Sequence, residues 1–265
     1  MKISRSGFYE YLARRKSKRQ QENEVLSELI KEVFLEHKGR YGSIRISKVL
    51  QNRNIFVNRK RVSKLLTSME LYAKGTGRRY KRYKKKETVD RPNLLNQVFV
   101  TDTKNKVWVG DITYIPTKKG FLYLAVFLDI FSRKVTGWSM STSMRETLVI
   151  DAFLQAFGRE KPVEGLIIHT DQGSQFTGQK FQAVLQQHGA ISSVSRKGNP
   201  YDNAVMESFY RTLKRELVQD SHYENPEQAR MDIFKYIELY YNTKRMHSTL
   251  NYMSPVQFEN QFSHN

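Results

Sequence analysis

Trp108-Val109-Gly110-Asp111-Ile112-Thr113-Tyr114 sets one carboxylate inside a run that otherwise reads as a buried strand. A buried strand tolerates a carboxylate only beside a partner or a metal. Sixty positions on, Ile167-Ile168-His169-Thr170-Asp171-Gln172-Gly173 puts a second carboxylate at the C-terminal end of a short apolar run, where side chains can project into a crevice. A further 36 positions on, Asp202-Asn203-Ala204-Val205-Met206-Glu207-Ser208-Phe209 carries a third within a helix-like run. Both gaps leave room for the turns, strands and helix needed to bring Asp111, Asp171 and Glu207 to one sheet edge. Hard divalent ions such as magnesium accept oxygen ligands, and two of them can clamp the attacking and leaving oxygens of a phosphoryl displacement. Taken singly, each acid has a plainer reading: Asp111 capping a turn or pairing with a lysine, Asp171-Gln172-Gly173 an ordinary turn, Glu207 pairing with Arg211 at i+4. Taken together, and with the fold pattern around them, they favour metal-assisted chemistry.

That pattern is an alternation of strand and helix from residue 98 onward. Strands are expected over 106–116, 121–131, 135–141, 166–170 and 191–195. Helices are expected over 145–157, where Leu148, Val149, Ala152, Phe153 and Ala156 form one face, and over 180–188, 202–218 and 226–241. The order β-β-β-α-β-α-β-α gives an α/β core, a mixed five-stranded sheet with flanking helices. Lys214, seven residues after Glu207, falls on the same helix face. His169 and Asn203 lie near the acids and could support them or be structural. Asp129 and Asp202 are nearby acids with other uses, Asp202 most simply as a helix cap.

Residues 22–72 read as three helices. The first, over 24–37, carries Val25, Leu26, Leu29, Ile30, Val33 and Phe34, with Gly39 as a C-cap. Ser43 caps the second and Asn58 the third, which covers 59–69. Val62, Leu65 and Leu66 face inward there, and Arg59, Lys60, Arg61 and Lys64 outward. A short helix, a turn and a helix with a basic first turn is a helix-turn-helix layout. The helix dipole disfavours cations at that end, so a phosphate partner fits. Residues 1–21 are a basic N-terminal segment and 73–97 a basic linker, in which residues 78–86 hold seven cations, Arg78, Arg79, Lys81 and Arg82 among them, with Tyr80 and Tyr83 interleaved. Such a run can track a DNA backbone while its tyrosines stack. The core is expected over 98–218, with a helical C-terminal extension over 219–265.

Charge divides the chain the same way. Residues 1–97 hold 26 Lys+Arg against 9 Asp+Glu, whereas residues 98–265 hold 19 against 17. The front half is built to hold a polyanion by releasing counterions. No sustained amphipathic helix accompanies the charge, which points to nucleic acid over a membrane surface. The longest apolar run, over 121–131, contains Asp129 and falls short of the roughly 20 residues of a bilayer span. There is no cysteine, hence no disulfide and no thiolate metal site, and the six histidines are scattered. No secretory signal pattern is visible.

These motifs, with the 35 residues separating Asp171 from Glu207, resemble the second-reading-frame product of the IS-three (IS3) family of bacterial insertion-sequence transposases, relatives of retroviral integrases. Asn199-Pro200-Tyr201 before Asp202, Gly39-Arg40-Tyr41-Gly42 with Arg45-Ile46, and Tyr240-Tyr241-Asn242 with Arg245, His247 and Ser254-Pro255 extend the resemblance over almost the whole chain. It implies a ribonuclease-H-like core of the retroviral integrase superfamily behind a helix-turn-helix domain. It implies Asp111, Asp171 and Glu207 as catalytic metal ligands for two Mg2+ ions, with Mn2+ able to substitute, and Lys214 touching DNA near the cut phosphate. The implied reaction is hydrolysis of one strand at an element end, followed by in-line attack of the released 3′-hydroxyl on another phosphodiester, with no covalent protein intermediate. A tyrosine-recombinase reading lacks the required spread of arginines and histidine before a tyrosine. The expected partners are double-stranded DNA (element ends and target), further copies of the chain on that DNA, and the upstream reading-frame product or a fusion with it, since no heptad repeat of four turns or more is present. The expected location is the bacterial cytoplasm, at the nucleoid. The rivals are a DNA-binding accessory protein with an inactive core, or a nuclease of the same fold that cuts without joining.

Overall fold

Two glycine breaks and a set of polar caps cut the front of the chain into three helices, α1 (Lys18–Glu36), α2 (Ser43–Asn52) and α3 (Arg59–Ser68). The computed structural model describes residues 16–75, 101–195 and 203–262, with Arg5 and Tyr9. The chain divides into two compact units, residues 1–77 and 78–265. Most of the linker expected over 73–97, with Arg78, Arg79, Lys81 and Arg82, lies outside the described residues, as does Asp202.

In the first unit α1 starts at Lys18, six residues before the start expected from its apolar pattern. Ser17 and Gln20 form a capping box, each side chain accepting the other's backbone N–H. Leu26, Ile30, Val33 and Phe34 form its buried stripe. It ends at His37, one residue earlier than a cap with Gly39 directly after it would place the end. Lys38 and Gly39 both take left-handed backbone, and their N–H groups close on Leu35 and Phe34 carbonyls, a Schellman arrangement in which Gly39 stands second. The expected Ser43 cap is not formed: Gly42 is the N-cap, extended and without a side-chain bond, and Ser43 is already helical. Asn58 does cap α3, accepting from the Lys60 N–H at 2.8 Å. Ile46, Val49, Leu50, Val62 and Leu66 complete this small core.

The second unit is built on a five-stranded sheet of β1 (Val107–Thr117), β2 (Gly120–Asp129), β3 (Val135–Ser141), β4 (Ile167–Thr170) and β5 (Ile191–Val194), in the spatial order β3-β2-β1-β4-β5. The first three form an antiparallel meander, and β4 and β5 add in parallel on the other side of β1. Helix α4 (Glu146–Glu160) covers β2 and β3; the short α5 (Ser174–Thr177) and α6 (Gln179–Gln187) connect β4 to β5. Trp108, Phe127, Phe153, Phe176 and Phe181 fill the core between them. Gly137 is required there: a Cβ would run into the Ala152 carbonyl and Ala156 of α4. Gly110, next to Asp111, is required too, because the ring of its cross-strand partner Phe127 lies over it.

Helix α7 (Ala204–Leu213) continues into a wider π turn, Lys214–Val218. Helix α8 (Pro226–Tyr236) likewise runs into Ile237–Tyr241, where one long helix each was expected. A 3-10 turn (Ser248–Leu250) and α9 (Pro255–Phe262) follow. The segment expected as an extension packs into this unit. The Asn242 side chain brackets both backbone groups of Val135, at 2.9 and 3.0 Å, and Lys134 pairs with Glu160 and Glu259. Buried Glu216, on the first π turn, takes three bonds from buried Arg245 and one from the Tyr236 hydroxyl. Among the described residues no helix is long and apolar enough to cross a membrane.

Candidate active site

β1 and β4 are parallel neighbours paired up to Gly110 and Thr170. The next position on each strand is Asp111 and Asp171. Two carboxylates 60 positions apart in sequence therefore emerge at adjacent strand ends. β1 runs on along β2 past the end of β4, so from Asp111 onward one of its edges has no strand neighbour among the described residues. That edge and the end of β4 are where a crevice is expected at strand C-termini in such sheets.

Both carboxylates are half-buried and held by short local bonds. Asp111 Oδ1 accepts from the Ile112 N–H at 2.7 Å, and Asp171 Oδ1 from the Gly173 N–H at 2.9 Å. Helix α7 grips Asp111 at two further points. Asn203, its N-cap, donates from Nδ2 to Asp111 Oδ2 at 3.1 Å, and the Tyr210 hydroxyl donates to the Asp111 carbonyl at 2.5 Å and to the Leu124 carbonyl at 3.3 Å. Burial pushes the Tyr210 hydroxyl well above its ordinary pKa, and the charges of Asp111 and Asp171 add to that, so it stays a donor.

At 100° per residue, positions 207, 210 and 214 fall within about 60° of one another on a helix that starts just after Asn203. Since Asn203 and Tyr210 touch Asp111, the stripe that includes Glu207 and Lys214 lies along the same strand edge. Glu207 is exposed and forms no ion pair among the described residues, so the plain i+4 pairing with Arg211 is not made. Asp111 and Asp171 are brought to adjacent strand ends, whereas Glu207 lies on the helix one turn before Tyr210 with its carboxylate exposed. Among the described residues no three acids or histidines are close enough to form a finished metal cluster. The Glu207 carboxylate sits on a rotatable, solvated side chain, unlike the two strand acids. The Lys214 ammonium lies 5.1 Å from the Tyr114 ring centre. Its pKa is lowered by burial, an effect opposed by the Asp111 charge.

The other residues singled out from sequence separate cleanly. His169 is fully buried one pleat before Asp171, and its Nδ1 bonds to Ser193 Oγ on β5 at 2.8 Å, tying the two strands together. Asp129 is structural: its carboxylate accepts from the Asn105 and Ser132 N–H groups and the Ser132 hydroxyl, and burial raises its pKa. Arg59, Lys60 and Lys64 are exposed on α3 beside a shallow groove that Ser43, Ser63 and Thr67 also line. Arg61 differs: its guanidinium bonds to Asn23 and Glu22 of α1 at 2.9 and 3.0 Å, which joins helices and takes it out of the outward set. Tyr210 and Tyr114 were not singled out from sequence. The signal for Tyr210 was its place three residues after Glu207 on one stripe. For Tyr114 no linear signal existed, since its cation partner is 100 positions away.

The side chains of Asp111 and Asp171 offer carboxylate oxygens, and beside them the amide oxygen of Asn203 is buried without a hydrogen-bond partner. Carboxylate and amide oxygens with no imidazole or thiolate suit a hard divalent ion such as Mg2+ or Mn2+. The residues present fit such a group.

Comparison with known proteins adds an independent line. Residues 101–200 and 207–262 match models described as integrase core domain, and residues 20–80 one described as HTH-like domain. The chain is 62% identical over 247 residues, 93% of its length and 98% of the relative's, to the transposase for insertion sequence element IS904 of Lactococcus lactis subsp. lactis. It is 39% identical over 265 residues, 98% of its length and 92% of the relative's, to transposase InsF for insertion sequence IS3A of Escherichia coli. A solved HTLV-2 integrase catalytic core domain in complex with magnesium superposes on 58% of this chain and 96% of that one, with 23% identity and a TM-score of 0.46.

Proposed function

The chain belongs to the IS3 family of insertion-sequence transposases, and on that premise we propose that Asp111, Asp171 and Glu207 are its catalytic carboxylates, cutting DNA at element ends and joining the cut strand to a target. It is an enzyme of DNA transposition with an integrase core and an HTH-like domain. The observation that carries the reading is the pair of parallel strand ends bearing Asp111 and Asp171 beneath the helix stripe of Asn203, Glu207, Tyr210 and Lys214.

Asp111 and Asp171 supply oxygens fixed by the sheet, and Glu207 brings a third from α7. Divalent cations held there, two Mg2+ with Mn2+ able to substitute, supply Lewis acidity at the attacking and leaving oxygens when bound. Tyr210 holds the Asp111 main chain so that its carboxylate keeps one direction. Lys214 presents a cation to a phosphate lying along the open edge of β1. Arg59, Lys60 and Lys64 on α3 hold duplex phosphates, a task for which their exposure suits them and Arg61 does not qualify. In this reading the substrate is double-stranded DNA, the working form is a homo-oligomer on that DNA, joined by the upstream reading-frame product or fused to it, and the place is the bacterial nucleoid.

The test is incubation of element-end oligonucleotides with the chain and Mg2+ or Mn2+, with nicked and joined products resolved on gels. Glu207→Gln is expected to abolish both products while leaving DNA binding intact. Full activity of Glu207→Gln sinks the carboxylate assignment. Nicking without joining identifies a nuclease, and binding without either an accessory protein.

A further inference from the structure

Among the described residues three asparagines stand at helix N-caps, and they behave differently. Asn58 accepts from the Lys60 N–H and Asn225 from the Gln228 N–H, as such residues do at helix starts. Asn203, at the start of α7, makes no cap bond. Its Nδ2 is turned onto Asp111 Oδ2, and its Oδ1 is buried with no hydrogen-bond partner, in a residue only 8% exposed. The orientation of the amide is fixed by chemistry: the reverse setting would oppose two acceptors, amide oxygen against carboxylate oxygen. With nitrogen on Asp111, the oxygen lies about 2.2 Å from that nitrogen across the planar amide. A buried acceptor without a donor is rare in folded proteins and calls for a partner.

We propose that Asn203 is an additional ligand of the divalent-ion site, its Oδ1 binding the cation held by Asp111 while its Nδ2 orients that carboxylate. Backbone and side-chain amide oxygens are ordinary ligands of hard divalent ions. The lost cap bond is then accounted for, since the side chain is held at the metal. This rests on the carboxylate reading above and adds a neutral oxygen to it. A fourth acid at this position would bring a further negative charge against Asp111; an amide supplies the oxygen without that repulsion.

The experiment is a Mn2+ titration of the metal-free full chain, reading unbound Mn2+ by electron paramagnetic resonance, with thermal melting in parallel. Asn203→Ala is expected to weaken Mn2+ binding by about tenfold or more, in the range found when groups around a metal are removed. Asn203→Asp keeps an oxygen ligand and loses the N–H donor. It is expected to hold Mn2+ within about threefold of the unaltered chain and to gain more in melting temperature on Mn2+ addition, because the cation relieves repulsion between two carboxylates. Unchanged binding by Asn203→Ala overturns the proposal. Binding by Asn203→Asp as weak as that of Asn203→Ala also overturns it, and leaves Asn203 only its orienting bond. If Asn203→Ala does not fold, Asn203→Asp decides alone. Asp111→Asn separates the two levels: unaffected Mn2+ binding in that variant removes the carboxylate reading itself, whatever Asn203 does.

Discussion

Tyr210 and Lys214 set what the candidate site can do at the scale of single residues. The Tyr210 hydroxyl shares its one proton between two main-chain carbonyls, chiefly that of Asp111 and more weakly that of Leu124. Tyr210→Phe leaves both without that donor, so a loss of about 1–3 kcal/mol in urea unfolding is expected, with slower strand cleavage as Asp111 loosens. Retained stability in that variant would show the hydroxyl to be idle. Lys214 has its pKa lowered by burial, so its ammonium is lost at a lower pH than that of an ordinary lysine. Only the protonated amine attracts phosphate. Strand joining should therefore fall along an alkaline limb below the usual lysine range of about 10.4. Lys214→Arg should carry that limb to higher pH, which a pH–rate profile of the two proteins measures.

Elements constrain the site through contacts that admit no extra atoms. At Gly110 the Phe127 ring occupies the space a Cβ would need, one residue from Asp111. Gly110→Ala must shift either that ring, which packs on Phe153, Phe176 and Phe181, or β1 itself. A loss of about 1–3 kcal/mol is expected, as for overpacked cores, together with reduced cleavage. Denaturant titration and the nicking assay read the two effects. The π turn at the end of α7 matters in another way. Its buried Glu216 holds Arg245, and so ties the site helix to the chain after α8. Removing one partner strands a buried charge, so Arg245→Met should cost about 3–5 kcal/mol by denaturant titration.

Across the whole molecule charge is concentrated toward the front of the chain. With 26 Lys+Arg against 9 Asp+Glu in residues 1–97, the proposed function has the front of the chain supply the electrostatic part of DNA binding. Each cation that neutralises a phosphate contributes about one to the slope of log affinity against log salt. Replacing Arg59, Lys60 and Lys64 by alanine should lower that slope by about three, measured by fluorescence anisotropy over a salt series. Arg61→Ala should instead lower thermal stability through the lost bonds to Asn23 and Glu22. An unchanged slope in the triple variant would end the role given to α3.

Local patterning determined much of this. The alternation in residues 106–116, the stripe of α1 and the apolar face of α4 name their elements because neighbours at i+2 or i+4 meet whatever the rest of the chain does. The three acids pointed to oxygen ligands, and the lack of cysteine excluded thiolate ones. The spacing could not show that β1 lies between β2 and β4, which is what makes Asp111 and Asp171 neighbours. Nor could it show that Asn203 leaves its cap for Asp111, that Arg61 is held by α1 while Arg59 is exposed, or that Glu216 meets Arg245. Those outcomes depend on which distant groups pairing brings within hydrogen-bond range. A buried polar group takes the partner that the packed structure supplies, and linear order does not encode that choice.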